Sequence, residues 1–421
     1  EIFSKMLKSG IDGILIVSLN EKKWNFFDVS KNMILCSEWY GYVEYFHDGF
    51  AVVRRGDLKC NFIKPDGKLL CSEWYDYVGY FHDGFAVVIR GDGKWNFIKS
   101  DGSVLCDEWY DYVSDFKNGF AFVRRGDGKC NLIKPDGSVL CDEWYDLVYD
   151  FENGFAFVRR GDGKWNFIKS DGSVLCDEWY GYVGYFHDSF AQVRRGDGKR
   201  NFIKPDGKVL CSEWYDYVID FKNDFAQVQR SDGKWNFIKP DGKLLCSEWY
   251  DYVSDFKNGF ARVQRDDLKW NFIKLNGDVL CPEWYDLVYG FIDGFAQVRR
   301  GDLKWNFIKQ DGSILCDEWY KNVSDFRNGL AAVRRDDLKW NFIKLNGDVL
   351  CPEWYGLVYD FIDGFARVRR DDWKWNFIKP DGSILCSEWY ETVSDFKKGV
   401  AKARRYDDQI CYIDTKGEIV G

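Results

Sequence analysis

The tripeptide Glu-Trp-Tyr recurs along this chain with Trp at 39, 74, 109, 144, 179, 214, 249, 284, 319, 354 and 389, always 35 residues apart. A fixed step of that length confines the chain to repeat architectures, in which each unit buries its apolar face against the next. A second marker, Lys-Trp-Asn-Phe-Ile-Lys, keeps the same step from Trp95 to Trp375, and one full unit runs from Tyr110 to Trp144. No linker interrupts the series. The spacing predicts a continuous array over 14–421 of about twelve copies, the last one partial, preceded by a cap segment over 1–13 that falls outside the pattern. The first copy has one extra residue between Trp24 and Cys36, and Ile410 and Cys411 replace the usual Trp and Asn near the other end. Atypical end copies are what an open array requires, because its outermost faces meet water.

Turn signals cut each unit into short strands. Asp101-Gly102, Asp136-Gly137 and Asn276-Gly277 sit between apolar runs, and a second such pair, as in Asn118-Gly119, precedes Phe-Ala; both read as hairpins. A third loop, Gly-Asp-Gly or Asp-Asp-Leu, separates the Val-Arg-Arg run from Lys-Trp-Asn. The reading is an all-β antiparallel meander of four strands, WYDYVSDF, FAFVRR, KWNFIK and SVLC, with no 3.6-residue period anywhere. The aromatic content of 19% and 40 Gly against 7 Pro suit strands joined by tight turns. Stacked in tandem, such 35-residue meanders form an open solenoid or superhelix; the alternative is two β-propellers, whose four-stranded blades are slightly longer.

Variation among copies suggests which positions are wet. The residue after Phe-Ala is Val87 or Phe122, then Gln192, Gln227, Arg262, Gln297 and Lys402, and tolerance of that range predicts a solvent-facing site. The next residue stays apolar, as in Val88, Val123 and Val263, so two-residue alternation places Ala86 and Val88 on a buried face. The invariant Glu-Trp-Tyr tryptophans, Trp74, Trp109, Trp144, Trp179, Trp214, Trp249, Trp284, Trp319 and Trp354, are read with their paired Tyr as the core between neighbouring units.

The Lys-Trp-Asn tryptophan is less constant. Its position reads Cys60, Trp95, Cys130, Trp165, Arg200, Trp235, Trp270, Trp305, Trp340 and Trp375. Acceptance of Cys and Arg implies partial exposure, so Trp95, Trp165, Trp235, Trp270, Trp305, Trp340 and Trp375 form a candidate binding stripe, aromatic platforms suited to sugar rings or a protein partner. The plainer reading of the same residues is half-buried packing.

No catalytic or metal-binding constellation emerges. Eleven of the 14 Cys hold one repeat position, Cys36 to Cys386, where a strand-end thiol behaves as a small buried hydrophobe without a disulfide or metal partner. His47, His82 and His187 share one turn, and the carboxylates recur once per unit, whereas an acid–base pair is singular. Arg-Gly-Asp occurs six times, at Arg55, Arg90, Arg125, Arg160, Arg195 and Arg300, but Arg-Ser-Asp and Arg-Asp-Asp take its place elsewhere, as turn chemistry allows. No catalytic residue, cofactor or metal is expected. The net charge of −9 argues against a nucleic-acid partner, and no apolar run is long enough for a membrane span. Unpaired thiols in this number lean toward a reducing, cytoplasmic setting, with the cell surface or secretion as the alternative for a chain that opens on Glu1.

At the Lys-Trp-Asn-Phe-Ile-Lys segment and the turn Gly that follows it, the chain resembles the WG-repeat family, whose units carry the pattern K-W-G-F-I-x-x-x-G. Here Asn96, Asn166 and Asn236 stand where the family has Gly, a departure that points to side chains bonding nearby backbone. The resemblance implies a repeat module and carries over no catalytic residue. Together these readings predict a non-catalytic scaffold whose extended surface binds a protein or glycan; a structural subunit that self-associates end to end into a filament is the alternative.

Overall fold

The computed structural model describes residues 3–187 and 189–420, and in them the chain consists of strands and turns without a helix. Twelve antiparallel sheets are present among these residues, one of four strands and the rest of three, none closed into a barrel. The chain divides into two compact units, Glu1–Trp214 and Tyr215–Gly421, with six sheets in each. The division falls inside a Glu-Trp-Tyr triplet without disturbing the 35-residue step.

In the first sheet, β1 (Lys5–Lys8), β2 (Ile14–Ser18), β3 (Trp24–Asp28) and β4 (Met33–Ile34) follow one another in chain order. The segment outside the repeat pattern thus supplies a strand: Met6 pairs with Val17 as Val113 pairs with Val123 in a later copy. Residues 1 and 2 of that segment lie outside the described residues.

A later copy shows the common plan. Tyr112–Val113, Ala121–Arg124 and Cys130–Ile133 form a three-stranded meander with Ala121 opposite Ile133 and Val123 opposite Asn131. Asn118 and Gly119 both hold positive φ (53° and 84°), the two-residue turn whose twist matches that of the flanking strands. Ala121, Val123, Asn131 and Ile133 share the fully buried face, as the Ala86/Val88 alternation predicts.

The fourth expected strand differs. Only Val139 bridges Ile133, and Leu140 donates to the Leu132 carbonyl at 2.7 Å. The next ladder position is occupied by a side chain. Asn131 Nδ2 donates to the carbonyls of Cys141 (2.7 Å) and Glu143 (3.2 Å), while its Oδ1 accepts from the amides of Cys141 (3.2 Å) and Leu132 (2.8 Å). The backbone from Cys141 to Trp144 therefore leaves the sheet as a loop, and Tyr145 returns to pair with Cys130. A strand cannot form there because the Asn amide takes the polar groups that a ladder needs. The Nδ2 contacts recur at Asn25, Asn61, Asn96, Asn166, Asn201, Asn236, Asn271, Asn306, Asn341 and Asn376, all fully buried, with the Cys thiol rather than its amide donating to Oδ1 at Asn166, Asn271 and Asn341. This is how the chain uses Asn where the family pattern has Gly.

The other sheet face meets the next copy. Phe85 and Phe97 lie 4.5 and 5.0 Å from Phe116 of the following copy, and Phe260 and Phe272 lie 4.5 and 4.8 Å from Phe291. The residue after Phe-Ala sits on this face and is mostly half-buried or buried, correcting its reading as a solvent site. It varies because its partner is in the next copy: Gln227 bonds Asp255 at 2.8 Å, Gln297 bonds Asp325 at 2.7 Å, and Arg367 pairs with Asp395 at 2.6 Å. Polar residues there are satisfied across a junction rather than by water.

Candidate binding surface

The Glu-Trp-Tyr tryptophans ride on the loops that the Asn brackets hold. In each triplet the Tyr is fully buried and the Trp half-buried. Each Trp from Trp74 to Trp389 packs on the Tyr 34 residues earlier, with ring centroids 6.1 to 6.5 Å apart. An Arg guanidinium covers it, from 3.9 Å at Arg125 over Trp144 to 4.5 Å at Arg370 over Trp389. Trp74, Trp109, Trp144, Trp179, Trp214, Trp249, Trp284, Trp319 and Trp354 thus lie at the seams between successive copies. Full burial belongs to Tyr and Phe, because a Trp carried on a loop edge leaves one rim in water. The covering Arg is the first residue of the Arg-Gly-Asp turns, and equally of the Arg-Ser-Asp and Arg-Asp-Asp turns at Arg230, Arg265, Arg335 and Arg370.

The Lys-Trp-Asn tryptophans lie on the third strand, all half-buried. Across the ladder from Trp95 stands Ile89, and from the other six stand Arg159, Gln229, Gln264, Arg299, Arg334 and Arg369. Trp165, Trp305, Trp340 and Trp375 have an Arg guanidinium 5.2 to 5.6 Å from the ring. Most also meet a Tyr: Trp235 with Tyr217 at 6.0 Å, Trp270 with Tyr252 at 5.4 Å, Trp305 stacked on Tyr289 at 5.7 Å, and Trp375 with Tyr359 at 5.9 Å. Trp95 instead contacts Tyr112 of the following copy.

The sequence carries a signal for these Tyr that the variation of the Trp position alone does not. Where the short strand begins with Leu (Leu147, Leu287, Leu357), a Tyr follows two residues on (Tyr149, Tyr289, Tyr359); where it begins with Tyr217 or Tyr252, the later position is Ile219 or Ser254. The two arrangements deliver a ring to the same Trp position from either site on one face.

Beside this row an open groove of about 1260 Å³ crosses the copies around Tyr289, lined by Lys257, Arg262, Leu275, Tyr289, Gln297 and Asp325. Its counterpart in the first unit, about 610 Å³, is lined by Lys117, Phe122, Tyr149 and Tyr185. The groove joins aromatic walls to hydrogen-bonding groups, the lining of many binding sites. The acidic and basic groups on its walls are partly spent on one another, as in the pair of Lys222 with Asp255 at 2.7 Å.

The thiols face inward. Cys106, Cys141, Cys246, Cys316 and Cys386 are buried and unpaired, and burial pushes each thiol up to about 12, so they are protonated and poor nucleophiles at neutral pH. Among the described residues no three His, Cys, Asp or Glu side chains gather as a metal site, and no helix is long and apolar enough to cross a membrane.

Comparison with known proteins agrees with the repeat geometry. The family model described as "WG containing repeat" matches residues 110–130, 145–165, 250–268 and 320–338. No curated protein matches. Among solved structures, the computationally designed Ika8 protein is 16% identical, with 64% of this chain and 93% of that chain covered at a TM-score of 0.23. BamB from Moraxella catarrhalis is 10% identical, with 62% and 93% covered at a TM-score of 0.21. Overlays that loose bear on neither architecture nor activity. The four matched segments begin at or near the short first strand and run toward the third, and they recur in phase with the 35-residue step: at these four positions the chain carries repeats that match the WG-containing-repeat model.

Proposed function

We propose that this chain is a non-catalytic scaffold that presents an extended surface to a protein or glycan partner. The row of Trp235, Trp270, Trp305, Trp340 and Trp375, one per copy and most with a Tyr or Arg alongside, carries the reading. Half-buried rings that are already oriented lose little freedom on binding, and a ligand spanning several copies gains by multivalency. A regular polymer such as a polysaccharide suits a row with a constant step.

The test is a glycan array probed with the labelled full-length chain, followed by variants in which Trp270, Trp305 and Trp340 are replaced by Ala one after another. Binding that falls stepwise supports the reading. Binding indifferent to all three substitutions removes the Trp row from it, and a turnover abolished by a single substitution overturns the non-catalytic assignment.

A further inference from the structure

The hairpin between the second and third strands ends on a residue with positive φ in every copy. Gly fills that position at Gly93, Gly128, Gly163, Gly198 and Gly233. Leu58, Leu268, Leu303, Leu338 and Trp373 fill it in five others, with φ of 69°, 63°, 65°, 68° and 68°, and Asp408 fills it in the last copy with φ of 64°. A bulky side chain in this region is strained, and such strain persists where something else selects it. Four of these residues occupy successive copies of the second unit, where Leu268, Leu303, Leu338 and Trp373 are 68, 64, 52 and 69% exposed. The chain thus forgoes the strain-free Gly it uses elsewhere and places an apolar group in water at the same point.

The tips are contiguous. Lys304, next to Leu303, pairs with Asp336 of the following tip at 2.6 Å, and Lys339, next to Leu338, pairs with Asp371 at 2.5 Å. Of the remaining tip carboxylates, Asp266 meets Lys234 of the preceding copy at 3.9 Å, and the others are held locally: Asp267 by Arg265 at 2.8 Å, Asp302 by Arg300 at 2.9 Å, Asp337 by Arg335 at 2.8 Å and Asp372 by Lys374 at 3.6 Å. Trp373 is braced by the Arg369 guanidinium at 4.0 Å. The four tips carry eight cationic and seven anionic side chains, in a chain of net charge −9. The result is a row of three Leu and one Trp on a base whose charges are largely paired, within the tips or with neighbours such as Asp286 and Glu353.

We propose that this row seats its apolar tips in the interface of a zwitterionic lipid bilayer. A bilayer surface accepts projecting Leu and Trp without a matching pocket. Paired charges at the base favour neither anionic nor cationic headgroups, and the acidic remainder of the chain disfavours anionic ones.

The experiment is co-sedimentation of the full chain with phosphatidylcholine vesicles, alongside a variant carrying Leu303→Gly, Leu338→Gly and Trp373→Gly. The wild-type chain pellets with vesicles, retains binding at high salt and binds no better when anionic lipid is added. The triple variant loses binding by about tenfold or more. Its unfolding midpoint holds or rises, because Gly accepts the positive φ, so the loss is not one of folding. Absent binding by the wild type, undiminished binding by the triple variant, or binding abolished by salt overturns the proposal. Tip-dependent dimerisation without vesicle binding also overturns it and gives the row to a second copy of this chain.

Discussion

Arg125 holds its guanidinium carbon 3.9 Å from the ring centroid of Trp144 and donates to Asp127 at 3.3 Å. The Arg-Gly-Asp turn is thereby closed on itself, its cation on an indole and its carboxylate on the cation. Half-buried cation–π contacts contribute about 1–2 kcal/mol, so Arg125→Ala is expected to lower stability by about that amount. Arg125→Lys recovers part of it, and urea unfolding followed by Trp emission reads the difference.

Two glycines separate backbone strain from crowding. Gly119 and Gly137 both have φ of 84°, but only Gly137 meets the preceding copy, where an added β-carbon overlaps the Leu105 carbonyl. Gly119→Ala therefore shows strain alone, about 1 kcal/mol. Gly137→Ala is expected to cost clearly more, because backbone must move at a copy junction. Thermal unfolding of the two variants side by side gives the comparison.

The buried thiols make stability fall in alkali. Cys106 and Cys246 ionise near 9.0 when unfolded and at about 12 when folded. Below pH 9 both states hold the proton and the full stability remains; between pH 9 and about 12 the unfolded state loses it first, and stability declines by at most about 1.4 kcal/mol per pH unit for each thiol. Cys246→Ala is expected to flatten that decline between pH 8 and 10.5 in urea titrations. Native Cys106 is expected to resist iodoacetamide at pH 8 until denaturant is added.

The 35-residue step, the hairpins and the buried Ala86/Val88 face were legible in the sequence because each rests on local chemistry: a turn pair, an alternation, a repeated apolar letter. What lay between copies was not. Gln227 looks like a surface residue until Asp255 is found beside it 28 positions later, and variation at a junction imitates variation at a surface. Trp109 drew attention as the largest invariant ring, yet Tyr110, which the Asn-held loop turns inward, is the more deeply buried. The fourth strand was expected from its apolar letters, which carry no trace of an Asn side chain occupying the ladder. The apolar tips of the second unit are hidden in the sequence because a Leu or Trp after Gly-Asp or Asp-Asp reads as an ordinary loop residue, and its positive φ is visible only in three dimensions.

The most direct test concerns the Asn bracket. Asn236 Nδ2 donates to the carbonyls of Cys246 and Glu248, both at 2.9 Å, and on this account it fixes the loop that carries Trp249 to its seam. Asn236→Asp keeps the shape, removes both donors and buries a charge, which predicts a loss of at least about 2 kcal/mol in urea unfolding, with Trp249 released to solvent. An Asp variant that unfolds at the wild-type midpoint would contradict the claim that this side chain holds the repeat together.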